Sequence, residues 1–146
     1  DDSGTFEIYY KGALSTDGGN YGDPNHVHMQ YFHQATISHN GLLIYDPSRA
    51  AENEGWYSGS QRDVRSTSTN LNAWLGSDVM KRGEIIAHES AYTDASERAP
   101  LYAYLAGDIT AAYDSATVSY VGRRMLTVFT DDESAPMVLF VYDDQT

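Results

Sequence analysis

Four of the five histidines in this chain fall between residues 26 and 39, at His26, His28, His33 and His39. Neutral imidazoles joined by a carboxylate make a zinc site, and Asp17 and Asp23 are the nearest upstream carboxylates. On a strand, His26 and His28 would share a face, as would His33 and His39. The residues alone fit a polar loop equally well.

Tyrosine can serve as proton donor or acceptor once a site shifts it from its ordinary range. Twelve are present, and Tyr9, Tyr10, Tyr21, Tyr31 and Tyr57 precede or flank the histidines. Most of the twelve must be packing residues whose hydroxyl stays wet. Trp56-Tyr57, followed by Gly59 and Arg62, offers an aromatic face and a cation to a sugar, or equally a loop anchor. Arg123-Arg124 lies inside a strand pattern, so one guanidinium points to each face and the inward one needs a carboxylate partner. The glycines follow no phosphate-loop spacing and no serine sits in a nucleophile elbow. Cysteine is absent, which removes disulfides, thiolate metal sites and thiol nucleophiles together.

The elements that must position these groups are mostly strands. Thr5 to Tyr10 alternates apolar and polar, breaks at Lys11-Gly12, and Ala13-Leu14 leads into the turn-rich stretch 15–22. Gly41 to Tyr45 is a short apolar run closed by Asp46-Pro47, which predicts a buried strand. Residues 46–69 are polar and predict a long surface loop. Leu71, Trp74, Leu75 and Val79 recur at spacings of three and four and predict one short helix between Thr69 and Met80, capped by Asn70 or Thr69. Strand patterns resume at 84–90, 101–105, 117–121, 124–130 and 137–142, with a helical turn over 108–113. Seven or eight short strands and one helix predict an all-β, antiparallel β-sandwich in a single domain spanning 1–146.

Composition narrows the partners. The chain has 146 residues, with 9 Lys plus Arg against 21 Asp plus Glu, a formal charge of -12. Nucleic-acid affinity comes chiefly from cations displacing counterions, so no nucleic-acid partner is expected, and an anionic membrane surface is disfavoured for the same reason. No run of about 18 apolar residues predicts a transmembrane helix. Residue 1 is an Asp and the strand pattern begins almost at once, so the chain is read as a processed or excised piece.

Asp1-Asp2-Ser3-Gly4-Thr5-Phe6-Glu7-Ile8-Tyr9-Tyr10-Lys11-Gly12, then Asp17-Gly18-Gly19, then Thr36-Ile37-Ser38-His39-Asn40 with Leu42-Leu43-Ile44-Tyr45-Asp46-Pro47, resembles the heparinase II/III-like polysaccharide lyases. Later segments agree in order: Gly59-Ser60-Gln61-Arg62, Gly83 to His88, Pro100 to Tyr113, and Arg123-Arg124. They look closest to the heparinase II branch. The resemblance implies that the chain is the β-sandwich of a larger lyase and lacks its N-terminal α/α toroid. The implied reaction is β-elimination on an acidic polysaccharide such as heparin, heparan sulfate or a related uronate polymer. It further implies a mainly structural zinc held by Asp17 and His39, with a third ligand, a His, expected immediately upstream of residue 1. His33, and less directly Tyr31, would face the substrate as catalytic candidates. His33, His28 or Asp23 could replace the missing ligand.

Several expectations follow from the resemblance. The isolated piece is expected to be inactive, its partners being the acidic glycan and the toroid, and a homodimer is compatible with it. The toroid would supply the cationic groove that an acidic sandwich cannot. The parent would be periplasmic or secreted. A reading from another class is a non-catalytic sandwich that binds carbohydrate or packs against a partner domain.

Overall fold

A computed structural model describes residues 3–16, 18, 22–23, 26, 28–33, 35–45, 59–62, 70–77, 80–94 and 99–146. It is a mostly β, sandwich-like fold with two antiparallel sheets and one short helix. Strands β1 (Ile8–Tyr9) and β2 (Ala13–Ser15) form a hairpin, turned at Lys11, whose φ is 55°. Helix α1 spans Leu71–Leu75. Strands β3 (Glu84–Asp94), β4 (Ala99–Asp108), β5 (Val121–Phe129) and β6 (Met137–Gln145) pair in that spatial order, each antiparallel to its neighbour. Up-and-down order of this kind needs only short connections and the near-continuous strand patterns at the C-terminal end supply them.

Register sets the two faces. Leu105, Met125 and Val141 are direct cross-strand partners, and so are Gly107, Arg123 and Asp143, which puts all six on one face. Phe6 and Ile8 meet Leu105, Met125 and Leu139 across a cavity on that face, so the hairpin is its second layer. The other face carries Tyr102, Tyr104, Arg124, Leu126, Phe140 and Tyr142. The compact core lies at one end of the sheet, where Ile109, Ala112, Tyr113, Val118 and Val121 cluster and Leu42 and Ile44 pack onto them. The segment between β4 and β5 reaches this core through a 3-10 turn at Thr110–Ala112. Asp108 accepts from the Thr110 N–H at 2.9 Å and the Thr110 hydroxyl accepts from the Val121 N–H at 2.8 Å, so the turn is fixed at both ends.

Three elements differ from their sequence patterns. Gly41–Tyr45 alternates as a strand should, with Leu42 and Ile44 half-buried and Leu43 and Tyr45 exposed, yet it joins no sheet. The Ile44 N–H instead donates to the Gly59 C=O at 2.9 Å, at a glycine with φ +87°. A Cβ on Gly59 would sit 2.7 Å from the Ile44 carbonyl oxygen, so only glycine fits. The stretch 117–121 is a turn until Val121, because Thr117 and Val118 bond back to Asp114. The helix is shorter than its apolar spacing suggests; Asn70 caps it by accepting from the Ala73 N–H at 2.8 Å. The turn over 108–113 and the division of Arg123 and Arg124 between faces are as predicted.

Arg123 is 5% exposed and makes a two-pronged pair with Asp143, at 2.6 and 2.8 Å. Removing one partner strands a charge in a site that offers it little water. Arg123→Ala and Asp143→Ala should each lower unfolding free energy by about 3 kcal/mol in urea titrations. Arg124→Ala, on the exposed face with a 3.9 Å contact to Asp144, should cost well under about 1 kcal/mol.

Candidate functional site

The segment Ser3–Phe6 is held against the sheet by side chains rather than by strand pairing. The Gln61 amide brackets Ser3, accepting from its N–H at 2.9 Å and donating to its C=O at 2.8 Å. The Asn40 amide brackets Phe6 in the same manner, at 2.9 and 2.6 Å. Between them the Arg123 guanidinium donates to the Gly4 C=O at 2.9 Å, and Gly4 takes φ +77°. Each primary amide presents one acceptor and two donors, which is the pattern a neighbouring strand would present. The segment is therefore fixed without a partner strand.

The same side chains fix the loop that carries His39. Arg123 also donates to the Asn40 C=O at 2.7 Å, and Asn40 reaches the Ser15 hydroxyl at 3.2 Å. On the other side of His39, the Ser38 C=O accepts from the Gly18 N–H at 2.7 Å. The Ser38 hydroxyl lies 3.0 Å from the carbonyls of both His33 and Ala35 and shares its one proton between them. His39 closes the 3-10 turn Thr36–Ser38 with its own N–H on the Thr36 C=O, and it is half-buried. Tyr113 completes the network: its hydroxyl donates to the Leu42 C=O at 2.7 Å and accepts from Gln61 at 3.3 Å. The Gln61 N–H in turn bonds the Thr36 hydroxyl at 3.0 Å.

The histidine cluster is not a strand. Met29–His33 forms a π-helical turn, a geometry that concentrates at functional sites. His28 stacks on Phe32 with centroids 5.0 Å apart and planes 9° from parallel. His33 meets the His28 ring edge-on at 4.7 Å. The His28 N–H donates to Nδ1 of His26 at 3.2 Å, so His26 belongs to the same turn. His33 and His39 are thus on adjacent turns joined by Ser38, whereas the strand reading of residues 26–39 would have set them along one ribbon.

Of the predicted metal ligands, Asp17 lies outside the described residues. Its neighbour Gly18 is hydrogen-bonded to Ser38, the neighbour of His39. Among the described residues, no group of three or more His, Asp or Glu converges as a metal site. The backbone of Tyr31 is part of the π-helical turn, while its side chain, like Trp56 and Tyr57, lies outside the described set. Three residues with no role assigned from sequence prove central: Asn40, Gln61 and Tyr113. Each sits in a segment that carried the family resemblance, and that was the only available signal. No protein-family model matches the chain, and no curated protein does.

Burial raises the Tyr113 hydroxyl above its ordinary range, opposed by the Gln61 hydrogen bond and the nearby Arg123 charge. A folded pKa above the unfolded one means that native Tyr113 keeps its proton when the unfolded chain has lost it. Its contribution is complete below about pH 10 and declines as pH rises through the folded value. Tyr113→Phe should lose roughly 1 kcal/mol at neutral pH, because the Leu42 carbonyl loses its donor. The same variant should show a shallower loss of stability above about pH 10 in denaturation at stepped pH.

Proposed function

We propose that this chain is the β-sandwich part of a polysaccharide lyase that cleaves uronic-acid-containing glycans by β-elimination. One observation carries the proposal. Segments that resemble the lyase family, scattered from Ser3 to Arg123, are joined to one another through Asn40, Gln61, Tyr113 and Arg123. A framework that holds the His33 and His39 turns in place is what such a reaction requires of a sandwich.

In this reaction a base removes the proton at C5 of the uronate. The electron pair left behind forms the C4–C5 double bond, and the C4–oxygen bond breaks. The departing oxygen takes a proton from an acid, and neutralising the carboxylate stabilises the enolate-like intermediate. His33 can take or give a proton at its ring nitrogens, and Tyr31 is the weaker candidate for the second role. The toroid would supply the remaining groups and the cationic groove. Asp17 and His39 would hold the structural zinc with a ligand from upstream of residue 1, tying two loops together. A polysaccharide substrate would put the enzyme in the periplasm or outside the cell.

The product carries a 4,5-unsaturated uronate, which absorbs ultraviolet light. The full-length parent should generate that absorbance on at least one of a panel of heparin, heparan sulfate and unsulfated uronate polymers, and silence on all of them sinks the reading. Elemental analysis of the parent should find zinc, lost in Asp17→Ala and in His39→Ala. A parent with no zinc at all, yet active, would remove the metal from the proposal.

A further inference from the structure

The π-helical turn gathers His28, Phe32 and His33 into one aromatic cluster, and its geometry is not that of a core. A turn closed from residue i to i+5 brings residues five apart together, so His28 and His33 meet as an α-helical turn would not allow. His28 lies parallel to Phe32 at 5.0 Å, and Phe32 meets His33 edge-on at 5.6 Å. Phe32 and His33 are half-buried while His28 is exposed, and the buried core cluster of Ile109, Tyr113 and Val121 lies elsewhere. Packing explains the inner two rings. It does not explain a third ring stacked on the solvent side.

We infer that His28 and Phe32 form a stacking shelf for a pyranose ring of the glycan, beside the proton-transfer group His33. This rests on the uronate-glycan reading for its choice of ligand. The C–H bonds on one face of a pyranose carry slight positive charge and pack on an aromatic face, which is negative. The ring N–H groups of His28 and His33 can reach the hydroxyls and carboxylate at the sugar's rim. Stacking at this point would hold the uronate next to His33, and the Ser38 hydroxyl on the His33 carbonyl would keep that turn in register with the His39 turn.

The test is a titration of the 146-residue chain with a short glucuronate-containing oligosaccharide, following the ring proton resonances of His28, Phe32 and His33. Saturable shifts on all three rings are expected. His28→Ala should weaken binding roughly tenfold, and because His28 is exposed this variant should unfold like the parent chain. His28→Phe, which keeps a stacking ring, should restore most of the affinity, and Phe32→Tyr should bind like the unaltered chain. Binding that is unchanged in His28→Ala overturns the shelf and leaves the glycan reading standing. No binding at millimolar oligosaccharide also overturns it, and the ultraviolet assay on the parent then decides the lyase reading separately.

Discussion

The buried pair of Arg123 and Asp143 is the interaction on which the rest of the structure depends. A guanidinium at 5% exposure is tolerable only if its donors are satisfied, because the cost of removing the charge from water exceeds what one ion pair returns. Asp143 takes two donors from the adjacent strand. Two more go to Gly4 and Asn40, which lie 119 and 83 residues away in sequence. Satisfying one side chain therefore closes two long loops, of 119 and 83 residues. The N-terminal segment, the His39 turn and the four-stranded sheet come to a common point because the charge leaves no cheaper arrangement.

This dependence explains which parts were legible in the residues. The alternation around Arg123-Arg124 showed that one guanidinium must face inward and need a carboxylate, and Asp143 fills that need across the sheet. Strands β3 to β6 were legible because each is long and locally patterned, although β3 bulges at three places and carries apolar residues such as Ile85, 63% exposed, on solvent-facing backbone. Gly41–Tyr45 had the apolar run of a buried strand and failed as one because its backbone is engaged by Gly59 and Leu42 and Ile44 are already packed on the core. Periodicity reports which residues are buried; it does not report whether a neighbouring strand exists.

The site was legible in its atoms and not in its shape. His33 and His39 were evident as chemistry, but their placement on consecutive turns depends on Ser38 and on a π-helical turn, and no spacing rule announces one. Gln61 and Asn40 act on main-chain groups of Ser3 and Phe6, which are the same in every sequence. An amide that recognises backbone leaves no complementary residue type to search for. Such partners emerge only when the chain is folded.

The distribution of cations sharpens what kind of site an acidic chain can offer. Arg123 is spent inside the fold, Arg124 lies 5.6 Å over the Tyr142 ring beside Asp144, and both Arg62 and Arg82 donate to the Ala111 carbonyl at 3.2 Å. Four of the nine Lys and Arg thus already serve the fold, against 21 carboxylates. A polyanionic ligand approaching this surface meets net repulsion at distances below about one Debye length, near 8–10 Å. Local recognition must then come from groups that attract without a permanent charge: stacked rings, main-chain amides, and imidazoles that become cationic when an anion favours it. The turn bearing His28, Phe32 and His33 concentrates two of these three in one place. On the proposed lyase reading, long-range attraction for an acidic polymer would come from another surface, with binding divided between two bodies.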